Sequence, residues 1–286
     1  MKLLERKKCP LCKNLSTHLL YKLSYRDPKL KKFLKEYYNN RLPVDLVSRY
    51  DYKLMECKYC KLIFQKFIPD KNFMIELYEK FISARDSLIK KKRNIINLKK
   101  KYHNELNLVK KIFNNNVKVL EFGAGWGFWS YEAKKYGFDV SCLELSKNRI
   151  NFMKNNNLNV IRNLKNKFNK YDFIYSDQVF EHIDNPKQTL ELLELSLNRN
   201  GYILLNFPSA FCFKSKINNN YLPKKDAAHP LEHINLFNRS SIKFLIKNTN
   251  LKIINFRSLY FFNIKNLYKD LKNLFYFDSV LLKKNN

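Results

Sequence analysis

Four groupings of side chains in this 286-residue chain can do chemistry. Cys9-Pro10-Leu11-Cys12 and Cys57-Lys58-Tyr59-Cys60 are two Cys-x-x-Cys pairs, each able to wrap one side of a tetrahedral Zn²⁺. Four thiolates close such a site and leave no open position, so the expected zinc is structural. The long gap between the pairs predicts an insertion over 13–56, and redox or disulfide pairs are the alternative reading. Glu121-Phe122-Gly123-Ala124-Gly125-Trp126-Gly127 ends an apolar run in an acid, followed by glycines at alternate positions, a backbone that a ligand can approach closely. Glu144 ends a second apolar run, where a carboxylate can accept hydrogen bonds from both ribose hydroxyls of an adenosine-containing cofactor. Glu181-His182 and Glu232-His233 pair an acid with an imidazole, which titrates near neutrality and suits general base work.

These residues need strand ends and loops to hold them. Short apolar runs predict strands near 117–122, 139–144, 158–162, 171–175, 201–206, 251–257 and 259–263, with helices between. The expected fold is α/β, a Rossmann-like doubly wound, seven-stranded, mainly parallel sheet with a small N-terminal zinc-binding module. The expected divisions are a zinc module at 1–70, a connecting helical segment at 71–113, the main domain at 114–262 and an amphipathic tail at 263–286. Tyr52 to Phe64 reads as a hairpin carrying the second cysteine pair. Residues 207–235 form a long connection at the carboxyl end of a strand, where loops usually carry function. Cys142 and Cys212 are expected in the core, and the tail is expected to pack on its own domain.

The spacing Gly123-x-Gly125-x-Gly127 is not the dinucleotide fingerprint, and no GK[ST] phosphate loop is present. Glu121 opens the turn with an anion, which suits a cationic ligand without phosphate. S-adenosylmethionine has that character, and at Glu121 to Gly127 the chain resembles the class I S-adenosylmethionine-dependent methyltransferases. The resemblance continues through Tyr171 to Ile183, Asn200 to Pro208 and Ser240 to Phe256, and covers roughly residues 100 to 262. It implies that Glu121, Gly123, Gly125, Gly127, Glu144 and Gln178 hold the cofactor, Gln178 at its methionine end. Asn163-Leu164 would lie by the adenine. The order of a cysteine module before this domain is similar to bacterial sugar C-methyltransferases acting on nucleotide-linked keto-deoxysugars. That similarity implies catalytic roles for Glu232 and His233 beside the sugar, with Tyr78 and His182 as further candidates. Lys13 and Lys61 stand where the glycine after each cysteine pair is usual.

The net charge of +30 is mostly Lys and is spread along the whole chain, so no functional nucleic-acid partner is expected. No apolar run approaches the ~18 residues that span a bilayer. The N-terminus lacks a secretory h-region, and the expected location is the cytoplasm. The function expected is methyl transfer to a small molecule, a nucleotide-linked sugar in surface-glycan biosynthesis, with C- and O-methylation both open. The alternatives are an RNA base methyltransferase and a non-catalytic cofactor-binding scaffold. Nothing in the sequence specifies an oligomeric state.

Overall fold

The computed structural model describes residues 2–113, 116–208, 210, 213–218, 220–254 and 278–285. In chain order the N-terminal part contains β1 (Leu3–Glu5), β2 (Thr17–Ser24), α1 (Pro28–Tyr37), β3 (Asp51–Cys57), β4 (Ile63–Gln65) and β5 (Phe67–Pro69). Helices α2 (Lys71–Glu76), α3 (Ala84–Arg93) and α4 (Ile95–Ile112) follow, with one π-helical turn at Leu77–Phe81. The main domain runs β6 (Lys118–Phe122), α5 (Phe128–Lys135), β7 (Asp139–Leu143), α6 (Lys147–Asn155), β8 (Asn159–Ile161), β9 (Tyr171–Asp177), α7 (Pro186–Ser196) and β10 (Leu197–Asn206). Then come α8 (Phe213–Asn218), β11 (Asn235–Leu236), α9 (Arg239–Ile246), β12 (Leu251–Ile254) and β13 (Ser279–Lys284).

Seven described strands form the central sheet in the order β12-β13-β10-β9-β6-β7-β8. The pairs from β10 to β8 are parallel, and β13 is antiparallel to both β10 and β12. Val119 and Leu120 of β6 are fully buried on opposite faces, as a parallel strand covered by helices requires. One core lies under α4, α5 and α6 with Trp129 stacked on Tyr175, and a second lies under α7 and α9. The strand order reverses beside β6, so loops at the carboxyl ends of β6, β7 and β9 converge on one crevice. The expected α/β class and mainly parallel seven-stranded sheet are what the chain forms. No helix among the described residues is long and apolar enough to cross a membrane.

Two parts of the chain are organised differently from the sequence reading. The last strand of the sheet is Ser279–Lys284, where an amphipathic tail was expected, and the strand expected at 259–263 lies outside the described residues, as does Cys212. Val280, Leu281 and Leu282 are buried there, so this apolar run completes the core. The N-terminal module is also not confined to 1–70. Its four-stranded sheet has the order β11-β4-β3-β2, and β11 comes from the long connection after β10. Phe213, Tyr221, Ala228 and Leu231 of that connection share one core with Leu30, Tyr38, Tyr52 and Leu77.

Candidate active site

The glycine turn joins β6 to α5. Gly123, Gly125 and Gly127 all have positive φ (74°, 57° and 70°), a region that other residues occupy at a cost. The N–H groups of Gly123 and Ala124 both donate to the Leu143 carbonyl, locking the turn to the end of β7. A Cβ on Gly123 would stand 2.4 Å from Val179 Cγ2, and one on Gly127 would meet Met153 and Leu158. A Cβ on Gly125 would meet nothing within 4 Å. Gly125 is thus the open side of the turn.

Glu144 borders that opening. Its Oε2 accepts from Gly125 N–H at 2.7 Å, and its Oε1 accepts from the N–H groups of Leu145 and Ser146. A carboxylate has about four acceptor sites, so these three N–H groups leave one free for a hydroxyl. The open glycine and its neighbouring carboxylate fit the ribose of an adenosine cofactor. Arg149 lies 3.7 Å from Glu144 and sits over the rings of both Trp126 and Tyr78. Gln178 is exposed at the end of β9 with φ 57°. Asn163 is exposed, and its side chain caps Lys165 N–H.

Glu121 is tied to the helix that follows the turn. Its carboxylate accepts from Ser130 N–H at 3.1 Å and Oγ–H at 2.6 Å, at the start of α5. Burial pushes its pKa up to about 8, against the pull of those hydrogen bonds. Through Oε2, Glu121 therefore fastens α5 to β6, and burial favours its neutral form over an anion.

Tyr78, His182 and His233 come together. His182 is in the 3-10 turn Phe180–His182 after β9, and His233 lies just before β11. Their ring centroids are 4.9 Å apart, and Tyr78 Oη is 2.9 Å from His182 Nδ1. His182 Nδ1 also lies 2.8 Å from the Glu232 carbonyl, which can only accept, so Nδ1 carries the proton and Nε2 keeps its lone pair. Burial holds both imidazoles neutral, His182 below its usual value and His233 down at about 3. His233 Nδ1 is buried without a hydrogen-bond partner. Beside them lies Glu181, fully buried, with no partner for either carboxylate oxygen beyond its own main-chain N–H.

The Glu232 side chain does not join this set. Its Oε1 accepts from Tyr38 Oη–H at 2.8 Å and lies 3.2 Å from His229 Nε2. Burial alone would raise its pKa, but the His229 contact and the Tyr38 hydrogen bond outweigh it and hold the group at about 2. Glu232 acts on the site through its carbonyl, which fixes the His182 tautomer.

The N-terminal module holds these loops. Gln65 Nε2 donates to the carbonyls of His229 and His233, both at 2.9 Å, and Gln65 Oε1 accepts from Leu231 N–H. Arg6 donates to Asp184, to the Ile234 carbonyl and to Asn235 Oδ1. The sequence reading missed Gln65, Arg6, Tyr38, His229 and Arg149. The one signal for His229 was the crowding of histidines at 229–233.

The four cysteines meet as the spacing predicts. Their sulfurs lie within 4.8 Å of one another, with Cys9–Cys60 at 3.5 Å and Cys12–Cys57 at 3.4 Å. A tetrahedral ion with ~2.3 Å metal–sulfur bonds places its ligands about 3.8 Å apart, so the set can hold a metal. Each knuckle closes alike: Lys13 N–H donates to Cys9 O and Lys61 N–H to Cys57 O, with Lys13 and Lys61 at φ 59° and 60°. Lysine thus takes the left-handed position where glycine is usual. The described cysteines are all free thiols.

A family model described as a methyltransferase domain matches residues 80–255. No curated protein matches the chain. Among solved structures, the chain is similar to a SAM-dependent methyltransferase from Methanosarcina mazei, at 11% identity and a TM-score of 0.46, over 62% of this chain and 96% of that one. It is also similar to Haemonchus contortus phosphoethanolamine N-methyltransferase 2, at 14% identity and a TM-score of 0.42, over 64% of this chain and 53% of that one. A third is the CurJ carbon methyltransferase, at 13% identity and a TM-score of 0.43, over 76% of this chain and 59% of that one. The chain thus spans little more than half the length of the last two proteins.

Proposed function

The chain belongs to the S-adenosylmethionine-dependent methyltransferases, and from that premise we propose that its acceptor is a nucleotide-linked sugar. The observation that carries this reading is the set Tyr78, His182, Glu181 and His233, which adjoins the cofactor turn through Arg149. The set leaves polar atoms unpaired: His233 Nδ1 and both Glu181 side-chain oxygens have no hydrogen-bond partner. A hydroxyl-rich molecule, whose every hydroxyl both donates and accepts, can supply those partners.

A group of mutually repelling lysines supports a phosphate on the same acceptor. Lys225 lies over the Tyr37 ring, and burial together with repulsion from Lys90 lowers its pKa. Lys91 adds to that repulsion and also acts on Glu121 beside the turn. Lys90, Lys91 and Lys225 are thus near enough for their charges to repel one another. A diphosphate relieves their mutual repulsion.

S-adenosylmethionine, when bound, supplies an activated methyl group. The chain's residues position its acceptor and the cofactor. Glu144 and the open side of Gly125 receive the ribose, and the module's Gln65 and Arg6 hold the acceptor loops. His233, with a pKa of about 3, is a weak free base, so we assign it to acceptor contact instead of unaided proton removal. We further assign a structural Zn²⁺ to Cys9, Cys12, Cys57 and Cys60, where it joins the module to α7 and α9.

The test is transfer of labelled methyl from S-adenosylmethionine to a panel of nucleoside-diphosphate sugars, keto-deoxysugars among them, beside total RNA. Label in a sugar is expected, with His233→Ala lowering kcat/KM for the sugar about tenfold or more at unchanged cofactor affinity. Label in RNA alone would overturn the reading.

A further inference from the structure

We propose that Glu181, His182 and His233 form a second metal site, separate from the cysteines, which takes a first-row divalent cation and offers its open positions to acceptor oxygens. The inference rests on the acceptor reading above and adds an ion to that site.

The donor atoms of the three residues lie within 4.8 Å of one another. Ligands on an ion with ~2.1 Å bonds stand about 3 to 4 Å apart, so small side-chain rotations close the set. The Glu181 carboxylate oxygen is 3.8 Å from His182 Nε2. Glu181 is wholly buried, and its contact with a side-chain nitrogen is to that imidazole, with no Lys or Arg pairing it among the described residues. A buried carboxylate without a partner costs several kcal/mol when ionised. A cation at the focus of the three donors supplies the partner.

Both imidazoles are prepared as ligands. A metal-binding histidine usually gives its other ring N–H to a carbonyl or carboxylate, which fixes the tautomer. His182 gives Nδ1–H to the Glu232 carbonyl and turns Nε2 toward Glu181. His233 leaves Nδ1 buried and without a partner. Two imidazoles and one carboxylate with open positions suit Mn²⁺, Fe²⁺, Co²⁺, Ni²⁺ or Zn²⁺. The softer four-thiolate cluster has no preference for Mn²⁺, which makes that ion a discriminating probe.

Full-length protein carrying zinc on its cysteines is titrated with Mn²⁺ alone, and binding is read from loss of the free-ion EPR signal. One Mn²⁺ per chain is expected in addition to zinc. Glu181→Gln and His233→Ala should each weaken Mn²⁺ binding at least tenfold, with zinc content and S-adenosylhomocysteine affinity unchanged. If Glu181→Gln fails to fold, His233→Ala decides alone. Absence of Mn²⁺ binding, or binding indifferent to the substitutions, overturns the site. Sugar methylation that persists at full rate in EDTA, with zinc retained, also overturns it and leaves the acceptor reading standing. Site-dependent Mn²⁺ binding with no sugar methylated upholds the metal site and removes the acceptor reading.

Discussion

Three glycines with similar backbone angles should respond to alanine in three different ways. Gly123, Gly125 and Gly137 have φ of 74°, 57° and 84°, so each alanine pays the left-handed penalty of about 1–2 kcal/mol. At Gly123 the new methyl also enters Val179, 2.4 Å away, and overpacking of this kind adds about 1–3 kcal/mol. Gly123→Ala should therefore lose about 2–5 kcal/mol, a large part of the total stability of a typical domain. At Gly125 and Gly137 the methyl meets nothing, so only the backbone penalty remains. Gly137 lies after α5, remote from the opening, whereas Gly125 faces it. Urea unfolding should thus rank Gly123→Ala well below two nearly equal variants. Calorimetric titration with S-adenosylhomocysteine should then separate that pair, with affinity lost at least tenfold in Gly125→Ala and retained in Gly137→Ala. Wild-type affinity in Gly125→Ala would refute the assignment of the open side of the turn to the cofactor. Equal affinity losses in the pair would show that strain alone was responsible.

Glu144→Ala removes the carboxylate that borders the opening and should weaken S-adenosylhomocysteine binding by roughly 1–3 kcal/mol, measured by the same titration. Metal analysis should find one zinc per chain in protein purified without added metal. Cys57→Ser should lose that zinc and lower the melting temperature of the whole protein, because the cysteines share a core with Leu190, Leu193 and Leu245. Glu121 gives a pH signature. Its folded pKa of about 8 lies above the ordinary carboxylate value of 4.5, so between those values the native state binds more protons than the unfolded state. Its contribution is therefore present below pH 4.5 and lost as pH rises through 8. Glu121→Gln should remove that decline in a series of denaturation midpoints. An unchanged slope would place the ionised form in the native protein.

The parallel strands and the cofactor turn were legible because their signals are local. An apolar run, an acid and alternating glycines fit one strand-to-helix connection, and Glu144 follows at the end of the next strand. The direction in which a side chain turns is not local. Glu121 could face the ligand or α5, and Ser130, nine residues later, decides it. Glu232 and His233 are adjacent in sequence but have separate partners, Tyr38 for one and the acceptor set for the other. Val280-Leu281-Leu282 is a short apolar segment in a basic tail, and only its pairing with β10 and β12 marks it as a strand of the central sheet. The contribution of 213–236 to the N-terminal core was invisible for the same reason. Its strand is two residues long and has meaning only against β4.

That short strand has a consequence for how the molecule is made and inherited. Asn235 pairs with Phe64, so the cysteine-bearing module cannot complete its sheet until synthesis has passed residue 236. A truncated N-terminal fragment would expose Leu30, Tyr52 and Leu77 without their cover. The same dependence makes residues 2–70 and 213–236 a single exchangeable cassette. Grafting a new acceptor preference from a related enzyme should succeed only when both segments travel together, since either alone arrives with half a core and no clasp on His233.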